Sequence, residues 1–326
     1  MSTTDSRDAG TDYHYDLVVC GGGPAGCSAG VFCARYGLDT MIFDRGRSSI
    51  KRCAYLGNYL GFPAGIDVET FYELIQDHAE EAGCVIRPDL VESIERADGN
   101  RDEDDDDEGG GFVVTPQEGA PVSARRVIAV ARYDGTYLRP LDRGDGDDGG
   151  STGMFEKIEY DGEEREVFDR EYADRNGKTL IRGLYVASPS AETDRQAIVA
   201  AGRGARVGLA VLTAVRREAG YPEAIVDRYD WMRKGSELTD EHAARECYRE
   251  RFDEGVPDDH DPTETRLADL REAEIDRRLA SYLDREAIDA RTAAGQRAIL
   301  RRLDDERVLE RAREIEAERE SSEARG

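Results

Sequence analysis

The sequence predicts an α/β fold, in which a parallel sheet carries β-meander or hairpin insertions and is followed by a charged α-helical C-terminal region. Three observations predict it. First, Tyr15–Cys20 and Thr40–Phe43 are short apolar, β-prone runs, and the stretch 24–36 between them has helical composition, which makes a β-α-β unit. Second, Gln196–Val215 is a helical stretch of small residues that can pack closely on a sheet. Third, from about Tyr221 the composition changes to charged segments with narrow apolar stripes, which are typical of surface helices.

Weaker patterns complete the predicted element order. They are a helix at 68–82, strands at 84–86, 91–94, 112–115, 126–131 and 184–187, a hairpin from 155–160 and 166–168, and charged helices at 240–252, 264–283 and 286–319. We therefore expect a disordered tail at residues 1–13, a first domain at 14–220 and a helical appendage at 221–326. The acidic stretches 98–111 and 142–153 are interpreted as solvated loops within the first domain.

Charge excludes several classes of function. The 326 residues carry 71 Asp and Glu against 45 Lys and Arg, a formal net charge of -26, and a field of this sign repels nucleic-acid phosphates. We expect no membrane partner, because no run of roughly 18 or more apolar residues occurs. Only four of the 45 cations are lysine, and this acid-rich, Lys-poor composition resembles that of proteins from extreme halophiles. We therefore expect a haloarchaeal source.

Cysteine and histidine usage predicts neither a metal site nor a redox-active pair. The six cysteines include no C-x-x-C pair, and the four histidines are scattered singly. The stretch 1–12 is polar and acidic, unlike a signal peptide. We therefore expect a cytoplasmic protein with free thiols.

The strongest motif is a glycine-rich turn between the first strand and the first helix. Gly21-Gly22-Gly23-Pro24-Ala25-Gly26 fits G-x-G-x-x-G. In this pattern Gly21 permits the tight turn, Gly23 lets the backbone approach a pyrophosphate, and Gly26 lets helix and strand pack closely. Asp44 ends the second strand 18 residues after Gly26, where a ribose-binding acid is expected. Together these features predict a Rossmann-like dinucleotide-binding domain.

Two further segments resemble a known family. Asn58-Tyr59-Leu60-Gly61-Phe62-Pro63-Ala64-Gly65-Ile66 is similar to the flavin-side loop of thioredoxin-reductase-like proteins, which are FAD-dependent pyridine nucleotide-disulfide oxidoreductases. The run 183–187, followed by Arg195-Gln196-Ala197 and the small-residue helix, is similar to their closing strand and helix. The resemblance covers residues 15–215 and implies FAD as the cofactor. The residues it implies for FAD are Gly21, Gly23, Pro24, Ala25, Gly26, Asp44, Arg45, Asn58, Arg195, Gln196 and Ala197.

The chain also departs from that family. Only 53 residues separate Val130 from Gly183, whereas an inserted NAD(P)H domain would need roughly 100. The C-x-x-C dithiol of that domain is absent, and two short family motifs appear here as Ala131-Arg132-Tyr133 and Ser188-Pro189. We therefore expect the FAD domain alone, without thioredoxin reduction through a dithiol.

Two functions follow from these expectations. The first is an FAD-dependent oxidoreductase of unknown substrate, reduced by diffusing NAD(P)H or by a redox protein. The alternative is a non-catalytic flavin-binding or regulatory protein that uses its C-terminal helices to bind a partner. A reductase of isoprenoid double bonds is disfavoured by the loop 58–66, and whether the chain forms a homodimer stays open. Cys53 is a weak catalytic candidate, and its interpretation as a small buried hydrophobic residue is favoured.

Overall fold

A computed structural model describes residues 13–97, 110–130, 135–142, 153–191, 195–229, 231–238, 245–257 and 262–324. The chain divides into two compact units, Met1–Val211 and Leu212–Gly326. The predicted tail except Tyr13, and most of both predicted acidic loops, lie outside the described residues. So do residues 131–134, and with them Tyr133.

The first unit is built on one mixed sheet, which confirms the predicted α/β class. Its strands are β1 (Tyr15–Cys20), β2 (Thr40–Phe43), β3 (Val85–Arg87), β4 (Val91–Arg96), β5 (Phe112–Pro116), β6 (Val122–Val130) and β9 (Leu184–Ser188). In the described part of the chain, β3, β2, β1, β6 and β9 lie side by side in that order and all pair in parallel. On the edge of β6 that faces away from β1, residues 122–124 pair with β5 in antiparallel register, and residues 127–130 pair with β9. The strand β5 pairs in turn with β4, also antiparallel. The strand order runs outward from β1 in both directions, first toward β3 and then toward β9, and this is the order of a Rossmann-like sheet.

Two helices follow the alternation of strands. The helix α1 (Pro24–Arg35) begins directly after the glycine-rich turn, with proline in its first turn, where its missing N–H costs nothing. The helix α2 (Val68–Glu81) begins at an Asp67 cap, whose side chain accepts a hydrogen bond from the Thr70 N–H at 2.8 Å. The central strands are buried on both faces, as their apolar runs predict, and the burial pattern of β1 and β2 is nearly continuous.

The hairpin β7 (Phe155–Tyr160) and β8 (Glu163–Phe168) lies in the segment that joins β6 to β9, and confirms the predicted antiparallel pair. A 3₁₀ helix, Thr136–Leu141, precedes it. Phe168 is buried in the main core, and its ring meets that of Phe155 edge-on at 5.7 Å. Among the described residues of this segment no further sheet is present.

The long helix α3 (Ala197–Glu218) packs on α1 through glycine. A Cβ atom at Gly204 would lie 1.9 Å from the carbonyl oxygen of Ala25, so the two backbones are in direct contact there. Of the helices described, α3 alone has the length and mean hydropathy of a membrane span, a test that core helices of globular domains also pass. Its contact with α1 accounts for the small residues in the predicted stretch.

The second unit contains mainly charged helices. Its described elements include α4 (Arg245–Asp253), α5 (Glu264–Ala280), α6 (Arg285–Leu300), α7 (Asp305–Glu323) and the paired two-residue strands β10 (Arg233–Lys234) and β11 (Tyr282–Leu283). A small apolar cluster of Ile225, Phe252 and Leu270 forms its core. Glu272 on α5 accepts hydrogen bonds from Arg245 and Arg249 on α4, and Arg249 and then Arg245 lower the pKa of that carboxyl to about 2.

Two predicted helix boundaries in this unit were wrong. The helix predicted to reach residue 283 ends at Ala280, because the next residues pair with β10. The stretch predicted as helical over 286–319 is two helices, separated near Leu303. The second begins where the Asp304 side chain accepts a hydrogen bond from the Arg307 N–H at 3.0 Å, a cap that starts a new helix.

Two glycines in α3 give a matched test of the helix contact. We expect Gly204→Ala to destabilise the protein by about 1–3 kcal/mol or more, because its methyl group would overlap the Ala25 carbonyl. Gly202→Ala is the control: nothing lies within 4 Å of its Cβ position, so helix propensity should stabilise it by about 0.5–1 kcal/mol. Denaturant unfolding of both variants in high salt measures the difference. Equal effects of the two changes would contradict the packing described.

Candidate functional site

A cavity of about 1040 Å³ opens at the carboxyl ends of β1, β2, β6 and β9. It lies beside β1, where the order of the parallel strands reverses, which is the place where open α/β sheets bind ligands. The described residues that line it include Cys20–Ala25 from the glycine-rich turn, Phe43–Cys53 after β2, Asp89–Glu92, Val130, Ala187–Ser188 and Arg195–Ala197.

The glycine-rich turn has the tight geometry that its sequence predicts. Gly21 has a φ of +130°, and a Cβ atom there would lie 2.6 Å from the carbonyl oxygen of Val130 on β6. Gly26 lies so close beneath the turn that its Cβ would be 1.7 Å from the carbonyl oxygen of Gly21. Gly26 therefore shapes the turn from below and is not itself among the residues lining the cavity. Gly21, Gly23, Pro24 and Ala25 do line it.

The backbone N–H groups at the start of α1 stand at this turn. The first turn of any α-helix leaves N–H groups without intrahelical partners, and the helix dipole adds partial positive charge there. Pro24 and Ala25 belong to that first turn and line the cavity. An anionic group such as a phosphate is stabilised at such a helix end.

Asp44 lies at the end of β2 and is only 8% exposed, yet it lines the cavity. Its Oδ1 accepts a hydrogen bond from the Gly46 N–H at 2.9 Å. Its Oδ2 accepts hydrogen bonds from the Tyr72 hydroxyl and from Gln76 Nε2, both on α2. Burial, and then the nearby Asp44 charge, raise the pKa of Tyr72, so the hydroxyl keeps its proton.

Cationic side chains gather around the cavity although the whole chain is strongly acidic. The cations that line it are Arg45, Arg47, Lys51, Arg52 and Arg195, against the acids Asp44, Asp89 and Glu92. Lys51 lies 3.7 Å from Glu69. Within the described ranges Arg45 and Arg47 form no ion pair with any carboxylate, although the chain has 71 acidic residues. This wall of the cavity therefore favours an anionic ligand.

The start of α3 forms another part of the wall. Arg195, Gln196 and Ala197, from the motif that resembles the family's, line the cavity. Asn58 is not among the lining residues; its Nδ2 donates a hydrogen bond to Gln196 Oε1 at 2.8 Å. Asn58 thus joins the predicted flavin-side loop to the start of α3 and supports a residue that lines the cavity. Tyr59, in the same loop, packs on Phe71 at a centroid distance of 4.7 Å.

Cys53 is exposed at the cavity, so its favoured interpretation as a buried residue was wrong. It directly follows the 3₁₀ helix Ser49–Arg52, in a segment, 51–55, that is exposed. Four other cysteines, Cys20, Cys27, Cys33 and Cys84, are buried. Burial raises the pKa of all four thiols, that of Cys84 to about 12. Among the residues that the structure covers, no three potential ligands are grouped to hold a metal ion.

Sequence reasoning missed several residues of the site. The missed lining residues include Arg47, Ser48, Ile50, Leu56, Leu90, Thr136 and Tyr137. The segment 45–66 contains four cations and no acid, which is unusual for this chain and would have identified it as a special surface. Leu90, Thr136 and Tyr137 carry no comparable signal, because the folded path of the chain between β3 and β4 and after β6 brings them to the cavity.

Known proteins similar to the chain include thioredoxin reductases. No protein-family model matches. The NADPH-dependent thioredoxin reductase 3 of Arabidopsis thaliana is 27% identical over 99 residues, a match that covers 28% of this chain and only 19% of that relative. A thioredoxin reductase from Gloeobacter violaceus has a TM-score of 0.47 at 16% identity, covering 67% of this chain and 98% of that one. An atypical thioredoxin reductase from Desulfovibrio vulgaris Hildenborough has a TM-score of 0.43 at 18% identity, covering 62% and 98%. The fold assignment itself depends on the strand order described above.

The cysteines give a direct test of the geometry at the cavity. We expect iodoacetamide at mildly alkaline pH to modify Cys53 first, because it is exposed, and to modify the four buried thiols only in denaturant. Peptide mass spectrometry of timed samples measures each site. Cys53→Ser, as the control, should remove the fastest reaction and leave the others unchanged. Modification of Cys27 or Cys33 at the rate of Cys53 would contradict the structure.

Proposed function

We propose that the protein is an FAD-dependent oxidoreductase whose FAD-binding domain is the first unit. The observation that carries the proposal is the cavity itself, where a glycine turn, a helix N-terminus and an acid at the end of β2 meet. The similar proteins named above are reductases, and their class supports a general oxidoreductase role.

The residues of the cavity fit the adenosine diphosphate part of FAD. Gly21 and Gly23 line the cavity beside the first turn of α1, where a Cβ atom would overlap Val130 or Ser48, and a glycine turn before a helix N-terminus suits a pyrophosphate. Asp44 retains acceptor capacity for a ribose hydroxyl. Arg45 and Arg47, with no ion pair to a described residue, would neutralise the phosphates.

The start of α3 is proposed to hold the other end of the cofactor. When bound, FAD supplies the redox chemistry, because its ring takes up and releases electrons. The N-terminus of α3 carries partial positive charge and would stabilise negative charge that develops beside it. Ala197 and Gln196 would position the ligand there, and the hydrogen bond from Asn58 orients Gln196. Ile50 and Leu56 make part of the cavity wall apolar.

The electron donor is proposed to be a separate molecule. Between β6 and β9 the described residues form a 3₁₀ helix and one hairpin, in place of a second dinucleotide-binding domain. Either diffusing NAD(P)H or a redox protein would then supply electrons at the cavity mouth. Cys53 is exposed there and remains a weak candidate for a thiol that reacts with substrate.

A second candidate is a flavin-binding protein without turnover. The observation that favours it is the short connection between β6 and β9, because loss of a nicotinamide domain removes the usual source of hydride. In this case the charged helices α4 to α7 would bind a partner. Molar salt, the predicted habitat, would shorten the Debye length to about 3 Å and screen the acidic surface of both candidates.

Cofactor binding by the full chain tests the proposed function. The full chain, expressed and purified in high salt, should show the visible absorption of oxidised flavin, with FAD identified by chromatography after release. The double variant Arg45→Gln/Arg47→Gln should weaken FAD binding about tenfold or more through lost charge-assisted hydrogen bonds. Arg291→Gln/Arg319→Gln, which makes the same charge change at exposed positions outside the cavity, should leave affinity unchanged. Colourless protein that fails reconstitution would refute the proposal.

Reduction of the bound flavin separates the two candidates. Stopped-flow absorbance should show flavin reduction by NADH, NADPH or reduced ferredoxin at an enzyme-like rate of about 1 per second or faster. Cys53→Ser should leave this half-reaction intact, because no electron step to the flavin needs the thiol. Reduction by none of the three donors would favour the non-catalytic candidate instead.

A further inference from the structure

The carboxylate of Asp44 already uses most of its hydrogen-bonding capacity within the protein. An ionised carboxylate offers about four acceptor positions, two on each oxygen. Tyr72 and Gln76 fill both positions on Oδ2, and the distance from Gln76 Nε2 is 2.5 Å. The Gly46 N–H fills one position on Oδ1 at 2.9 Å. One position, on Oδ1, is therefore left for a ligand.

The surroundings of Asp44 enclose Oδ2 on a second side. A Cβ atom at Gly22 would lie 2.5 Å from Asp44 Cβ and 2.8 Å from Oδ2, so the glycine-rich turn packs directly against this side chain. The carboxylate is thus held between the turn and α2, and with 8% exposure it has little room to rotate. A ligand in the cavity meets an acceptor whose orientation is fixed before it binds.

Adenosine ribose presents two neighbouring hydroxyl groups, each able to donate one hydrogen bond. A carboxylate with a free position on each oxygen can accept from both hydroxyls at once. Here the second oxygen is occupied, so only one hydroxyl can bind directly to the acid. The other must bind elsewhere or remain in contact with solvent, where it gains little from the protein.

We propose that Asp44 accepts a hydrogen bond from a single ribose hydroxyl of the bound dinucleotide through Oδ1. Tyr72 and Gln76 are positioning residues, because their hydrogen bonds occupy Oδ2. The inference rests on the proposed function, because it needs an adenosine diphosphate group in the cavity. It makes the site unequal toward the two hydroxyls, a property that the glycine motif and the acid do not predict by themselves.

The test compares three small ligands on the full chain freed of flavin. Calorimetric titration in high salt would measure the dissociation constants of ADP, 2′-deoxy-ADP and 3′-deoxy-ADP. One deoxy analogue should bind about tenfold or more weakly than ADP, the loss expected for one hydrogen bond to a charged acceptor, and the other within about threefold of ADP. Equal weakening of both analogues, or of neither, would overturn the inference while leaving the FAD site in place. Failure of ADP and FAD to bind would instead overturn the proposed function.

Variants test the positioning role. Tyr72→Phe removes one hydrogen bond to Asp44 Oδ2, so this oxygen can accept from the ligand. The ratio of the dissociation constants of the two deoxy analogues should then fall at least threefold toward one. Tyr59→Phe is the matched control: the same hydroxyl is removed from a ring that packs on Phe71 and donates nothing to Asp44, and the ratio should stay that of the parent chain. Gln76→Met supplies a second, independent release of Oδ2 if the first variant folds poorly, which circular dichroism would reveal. An unchanged ratio in folded Tyr72→Phe and Gln76→Met would show that these residues do not position the acid.

Discussion

The first turn of α1 lies in backbone contact with two other segments, and the site depends on these contacts. Gly26 lies against the carbonyl of Gly21 from one direction, and Gly204 of α3 lies against the carbonyl of Ala25 from another. No side chain fits at either contact, so the turn, α1 and α3 are fixed relative to one another at backbone distance. The turn and the starts of α1 and α3 form part of the cavity wall at the end of the sheet.

The charge of the site opposes the charge of the chain. A protein with a net charge of -26 repels anions at long range, yet its cavity is lined by arginines, two of which pair with no described carboxylate. Screening by salt weakens the long-range repulsion more than the contacts at hydrogen-bond distance. An anionic cofactor would therefore bind through local arginines and helix N–H groups, and high salt would help it to approach. The halophilic habitat, which stays a prediction, would supply that salt.

Asp44 shows how a residue predicted from spacing acquires its properties from packing. Its place at the end of β2 follows from the β-α-β pattern. The hydrogen bonds to its Oδ2 come from α2, 28 residues or more further along the chain, and they decide which of its oxygens can meet a ligand. Cys53 is a similar case: the sequence identified the thiol, but only the folded path of the chain decides that it is exposed.

By itself, the sequence determined the strands, the glycine-rich turn, the acid at the end of β2 and the small-residue helix, because each depends on local periodicity or on the conformational freedom of glycine. Residues 195–197, which line the cavity, were singled out by a family resemblance. The helix ends near residues 281 and 301 were misplaced, since pairing with β10 and a cap at Asp304 decide them and neither is a periodic signal. Only the tertiary structure decided that Asn58 supports Gln196, that Leu90 and Tyr137 reach the cavity, and that Tyr72 and Gln76 hold Asp44. The physical reason is that these contacts join residues from 28 to 138 positions apart, where the folded path of the chain, and no local preference, brings the atoms together.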